Sequence, residues 1–111
     1  MKESNAFLMV GAKNFKSEVT DEEHAVLLAC IHWGGGMKQQ LELLKNVWEK
    51  CDQELKVCLM EEGQGRAVME QLKIVGTPTY LVFKEGREKD RVMGNVDNNT
   101  LMTFINKNLP N

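Results

Sequence analysis

The chain lacks most of what would assign it a chemistry at first sight. Its three cysteines, Cys30, Cys51 and Cys58, are too few and too irregularly spaced for a disulfide framework. Its two histidines, His24 and His32, stand away from any cysteine pair, so no zinc-type spacing exists and neither metal nor cofactor is expected. Charge of one sign is also missing: 14 basic residues face 16 acidic ones, and a net charge of -2 offers no attraction to nucleic acid or an anionic membrane. Two tryptophans, one tyrosine and four phenylalanines are too sparse to interleave with basic residues as a base-stacking surface. No apolar run approaches the ~18 residues that span a bilayer. Met1-Lys2-Glu3-Ser4-Asn5 has none of the segments of a signal peptide, so a cytoplasmic location is expected. Repeats, low-complexity tracts and linkers are absent too, and residues 1–111 are expected to form a single domain.

What is present is an alternation of short apolar runs and helical patterns. Ala6 to Val10 reads as a short strand ended by Gly11, and Asn14 to Val19 as a brief helix with Phe15 and Val19 on one face. Thr20 to Glu23 is a polar turn. Ala25 to Ile31 is an unbroken apolar run, the pattern of a central strand covered on both faces. Met37 to Cys51 carries Leu44, Val47, Trp48 and Cys51 at amphipathic spacing. Leu55 to Met60 is a second buried strand, Gly63 and Gly65 flank a turn, and Ala67 to Leu72 is helical. Thr79 to Phe83 and Asp90 to Met93 form a hairpin around Glu85-Gly86-Arg87. Asp97 caps a last helix bearing Leu101, Met102, Phe104, Ile105 and Leu109. This order predicts a central mixed β-sheet with a parallel core, one antiparallel edge and helices on both faces, a three-layer α/β/α architecture.

At particular residues the chain resembles the thioredoxin family over nearly its whole length. Trp33 and Lys38 bracket four residues as in the family's Trp-Cys-Gly-Pro-Cys-Lys turn. Thr77-Pro78-Thr79 matches its cis-proline loop, Phe83-Lys84-Glu85-Gly86 its hairpin turn, and Gly94 its strand-end glycine. Leu101, Phe104 and Leu109 match its closing helix, and from Ala25 onward the match runs without a gap. The resemblance implies a thioredoxin-like fold with a cis-proline loop at Thr77-Pro78.

The departures from that pattern carry the functional reading. The family's two active-site cysteines fall on Gly34 and Met37, and the proline between them on Gly36. A dithiol reductase needs a low-pKa thiolate to attack and a second thiol to resolve the mixed disulfide. Glycine and a thioether do neither, which argues against an enzyme. The family's buried aspartate and its nearby lysine fall on Leu28 and Leu59. A buried acid is costly and is kept where it is used, so its loss together with the thiols fits relaxed chemistry. Glu42 replaces the proline that kinks the family's second helix, so a straighter helix is expected.

The resemblance implies a peptide groove formed by Trp33, Gly34, Gly35, Gly36, Met37, Gly76, Thr77 and Pro78. The first reading is a redox-inactive protein that binds a protein or peptide partner there, as chaperone, adaptor or subunit. Against it, the groove is a relic and Pro78 serves only the folding of its loop. The second reading is a thiol-disulfide oxidoreductase using Cys30, Cys51 or Cys58, and the third a self-associating subunit, such as a homodimer. Strand parity, with Leu28 and Leu59 assigned to one layer, sends Cys30 and Cys58 to opposite faces. The three glycines could hold an anion at a helix start, but Gly36-Met37-Lys38 lacks the residues that complete a phosphate loop. His32 reads as a surface residue without a carboxylate beside it, Glu61-Glu62 as a solvated strand end. Met37, Met60, Met69, Met93 and Met102 read as core filling, with Met37 a candidate groove contact.

Overall fold

Seven uncharged residues, Ala25–Ile31, form the strand on which the rest of the molecule is laid, and all but the first are buried. The computed structural model describes residues 7–32, 34 and 36–109. Within them the chain runs β1 (Leu8–Val10), a π-helical turn (Lys16–Thr20), β2 (Ala25–Ile31), α1 (Met37–Lys50) and β3 (Leu55–Glu61). It continues with α2 (Glu62–Gln71), β4 (Thr79–Lys84), β5 (Arg87–Met93) and α3 (Asn98–Asn108). The five strands lie in the order β1-β3-β2-β4-β5. β1 and β2 run parallel to β3, while β4 is antiparallel to β2 and to β5. This is the mixed sheet that the element order predicts. No helix among the described residues is long and apolar enough to cross a membrane.

Period-two alternation along β2 divides the core in two. Leu27, Ala29 and Ile31 pack with Leu44 and Val47 of α1, Tyr80 of β4, and Leu101 and Ile105 of α3. Val26, Leu28 and Cys30 pack on the other face with Val19, Met60, Val68, Met69 and Leu81. The expected parity between β2 and β3 is corrected here. Leu28 stands level with Cys58, and Cys30 with Met60. Cys30 and Cys58 therefore share the α2 face, and Leu59 belongs to the α1–α3 face. The residue beside Leu28 is Cys58, not Leu59. A one-residue offset between parallel strands reverses every side chain, and counting along the chain does not detect it.

Two element boundaries also move. Gly63 and Gly65 fall within α2, which kinks at Gly65 (φ -113°, ψ 17°) where a turn is expected, and the helix starts early because Glu61 accepts hydrogen bonds from the N–H groups of Gly63 (2.8 Å) and Gln64 (3.2 Å). A Cβ at Gly65 would stand 2.3 Å from Met60 Cγ, so its lack of a side chain lets α2 lie close on β3. Glu61 thus ends β3, as expected, and also caps α2. β5 begins at Arg87, three residues before the expected Asp90. Its charged sequence makes a blunted sheet edge. α1 carries through Glu42 without interruption, as the missing proline predicts. Ala6, the expected first residue of β1, lies outside the described residues.

At the end of the sheet away from the β2–α1 turn, the π-helical turn is tied to β3 by Lys56. Its Nζ donates to Glu18 Oε1 (2.8 Å), Glu22 Oε1 (3.1 Å) and the Glu18 carbonyl (2.9 Å). The His24 N–H and Lys56 together hold the Glu22 carboxyl down to about 2.

Candidate functional site

The carboxyl end of β2 opens into the turn that begins α1. Gly34 and Gly36 both take positive φ, 153° and 93°, and Gly36 is the N-cap of α1 without a side chain to serve as the cap. Backbone bonds close the turn instead: the Met37 N–H donates to the Gly34 carbonyl (3.2 Å) and the Gln40 N–H to the Gly36 carbonyl (3.1 Å). Trp33 and Gly35, two of the expected groove residues, lie outside the described residues. Met37 is half-buried and packs against the α1–α3 core, so it serves that core.

Across from the turn runs the loop from α2 to β4. Arg91 of β5 fastens its start. The guanidinium donates to the Leu72 (2.8 Å) and Lys73 (3.3 Å) carbonyls at the end of α2 and pairs with both Glu88 oxygens at 2.6 and 2.7 Å. The loop's end is held by Thr79 Oγ1 donating to the Gly76 carbonyl (2.6 Å) and by the Gly94 N–H donating to the Pro78 carbonyl (2.8 Å). The Thr77–Pro78 peptide bond is cis. Between these anchors, the Thr77 N–H and carbonyl take no hydrogen bond among the described residues.

Turn and loop enclose a cleft of about 730 Å³ in which His32 and Gly36 meet Thr77 and Pro78. Gln39, Gln40 and Leu43 of α1, Tyr80, and Asn95, Val96, Asp97 and Asn98 leading into α3 complete it. On the other side of Thr77 a hollow of about 200 Å³ is lined by Glu62, Arg66, Met69, Val75 and Gly76. The fold thus brings Gly36, Gly76, Thr77 and Pro78 into one surface, while Gly34 stays exposed at the tip of the turn.

Val75, which the sequence reading groups with Gly76, Thr77 and Pro78, is 85% exposed. Other residues of this surface escape sequence reasoning: Met93 is 55% exposed and is corrected from core filling to rim. Met93 Sδ stands 3.4 Å from where a Cβ of Gly76 would be, which sets Met93 against the loop. His32 is corrected as well: its Nδ1 lies 2.9 Å from Glu62 Oε2 on α2. Gln40, Tyr80 and Val96 gave no signal, since each fits an ordinary helix, strand or loop pattern.

The chemistry open to this site is narrow. Cys30, Cys51 and Cys58 are all buried and free. Burial pushes the Cys30 thiol up to about 12 and the Cys58 thiol to about 11, so neither supplies a thiolate near neutral pH. Cys51 Sγ is turned to the Gln53 carbonyl at 3.5 Å, at the far end of α1. Among the described residues no group of three or more His, Cys, Asp or Glu side chains could hold a metal ion.

The chain matches the family model described as thioredoxin over residues 6–107. It is 26% identical to the thioredoxin of Rickettsia prowazekii (strain Madrid E) over 97 residues, which cover 86% of this chain and 92% of that protein. It is 27% identical over 106 residues to thioredoxin 1 of Nostoc sp. (strain PCC 7120 / SAG 25.82 / UTEX 2576), covering 95% and 99% of the two chains. A third relative, the thioredoxin of Pyropia yezoensis, is 26% identical over 95 residues. The match spans the sheet, the turn into α1 and the Thr77-Pro78 loop alike, and by it the chain belongs to the thioredoxin family.

Proposed function

We propose that this chain is a redox-inactive member of its family that holds an extended segment of a protein partner between the Gly34–Met37 turn and the Val75–Pro78 loop. One observation carries the reading. The Thr77 backbone is without a hydrogen-bond partner among the described residues, on a loop that is otherwise pinned at both ends, and an exposed apolar rim, Val75 and Met93, stands beside it. A free N–H and carbonyl on a fixed loop suit pairing with an extended backbone, and the apolar rim suits its side chains. Meanwhile the positions of the resolving and attacking thiols hold Met37 and Gly34. The names of the relatives favour the alternative, a thiol-disulfide oxidoreductase. That reading needs an accessible thiolate, and burial of all three cysteines opposes it.

The test is capture of partners by the native chain beside Val75→Asp and Trp33→Ala, with Lys16→Ala, at the opposite end, as control. Charging the rim at Val75 removes apolar burial worth about 1.5 kcal/mol or more, so affinity falls at least about tenfold. Equal recovery of the same partner by all four proteins would remove the groove from the account.

A further inference from the structure

At the end of the sheet opposite the groove, His24 stands between two carboxylates. Its Nδ1 lies 3.0 Å from Glu22 Oε2 and its Nε2 lies 3.2 Å from Glu54 Oε2. The His24 backbone N–H also donates to Glu22 Oε2 at 3.1 Å. His24 immediately precedes β2 and Glu54 immediately precedes β3, so one ring joins the connections that enter these two strands.

A carboxylate oxygen accepts and cannot donate, so each ring nitrogen needs a proton to face one. The imidazolium has both protons and holds both acids. The neutral ring has one and turns a bare nitrogen to the other acid. The two acids do not compete for it equally. Glu22 is 22% exposed and is further held by the His24 N–H and by Lys56 Nζ at 3.1 Å. Glu54 is 77% exposed and takes no second partner among the described residues.

We propose that His24 is a pH-operated clasp: as the imidazolium it joins Glu22 to Glu54 and ties the start of β2 to that of β3, and as the neutral ring it keeps Glu22 and releases Glu54. The charges that face the ring favour the closed form. They are Glu22 and Glu23 on its own segment and Glu54 on the α1–β3 connection. Lys56 of β3 is directed to Glu18 and Glu22, and Lys84 and Glu85 of the β4–β5 hairpin lie across the hollow that they share with Glu22 and Glu23. The Glu22 hydrogen bond first, and then the Glu54 charge, raise the ring's pKa above its ordinary 6.5. The clasp's contribution to stability is therefore whole below 6.5 and is lost as pH rises through the raised folded value. Exposed ion pairs contribute little energy, so the signature of the clasp is which nitrogen keeps the proton.

Ring nitrogen shifts of the isotope-labelled full chain, followed from about pH 5 to about pH 9, read that proton across the ordinary range of histidine. His24→Asn assigns the signals against those of His32. Above the midpoint the Nδ1–H tautomer of His24 is expected to predominate, the reverse of the preference of a free histidine side chain in water. The amide shifts of Gln53, Glu54 and Leu55 are expected to step at the same midpoint, and Glu54→Gln to lower it by removing a charge. Both substitutions fall on exposed side chains, and retained shift dispersion shows that each variant is folded. Predominance of the Nε2–H tautomer, a midpoint unmoved by Glu54→Gln, or Gln53, Glu54 and Leu55 amides that stay in place through the His24 titration would each overturn the clasp.

Discussion

Leu28→Asp is expected to lower the unfolding free energy by about 4 kcal/mol at pH 7, a large part of the roughly 5–15 kcal/mol typical of a domain. Leu28 is completely buried, and its surroundings on the α2 face are Val26, Cys30, Cys58, Met60 and Leu81. Other members of the family are expected to hold an acid there. In this chain no base stands beside it: the level residue on β3 is Cys58. The nearest cations, Arg91 and Lys56, are already paired with Glu88 and with Glu18 and Glu22, so an introduced carboxyl finds no counter-charge of its own among the described residues and its folded pKa is raised by desolvation. The sign follows from that. The folded form of the variant binds the proton more tightly than the unfolded form, whose carboxyl titrates near about 3.9. The deficit against the native chain is therefore smaller near pH 4, where the lost leucine packing and a buried neutral carboxyl remain, and grows as pH rises to 7. Urea unfolding of both proteins at the two pH values checks it. A deficit below about 1 kcal/mol at pH 7 would mean that a buried acid is accommodated and that the site beneath the turn has not been rebuilt as core.

Gly86→Ala is expected to cost about 3 kcal/mol. The β4–β5 connection is two residues long, and both take positive φ, Glu85 at 53° and Gly86 at 78°. That is the requirement of the tight hairpin turn whose twist matches its strands. Glu85 already accepts the strain of a side chain there. Gly86 cannot, because an added Cβ would lie 2.1 Å from the Thr20 carbonyl oxygen, which is backbone and has no rotamer to escape by. Either the hairpin or the end of the π-helical turn must move. Guanidinium unfolding of the variant reads the loss directly, and a change under about 1 kcal/mol would contradict the close approach.

The fold was legible because its signals were local and agreed with one another. Ala25–Ile31 is apolar without a break, Asp97 precedes a helical pattern, and Glu85-Gly86 divides two strand-like runs. Asp97 does cap α3, accepting the Thr100 N–H at 2.8 Å. What could not be read was whatever depends on the offset between elements. Cys30 and Cys58 share a face because Leu28 pairs with Cys58, a register set by packing and not by either strand alone. The start of α2 was missed because glycine at 63 and 65 resembles a turn, while the capping by Glu61 depends on how β3 ends. The groove was legible only in its backbone. Val75, Gly76, Thr77 and Pro78 are legible from their motif, but Met93, Gln40 and Tyr80 join this surface through neighbours distant in sequence. The His32–Glu62 contact, thirty residues apart, is of the same kind.

The central claim is that the fold persists without its redox chemistry, and reduction of insulin disulfides tests it most directly. With dithiothreitol as electron donor, the native chain is expected to precipitate insulin no faster than dithiothreitol alone, because Cys30 and Cys58 are buried with thiols held up to about 12 and 11. A clear acceleration by the native chain that disappears in Cys30→Ser or Cys58→Ser would contradict the account.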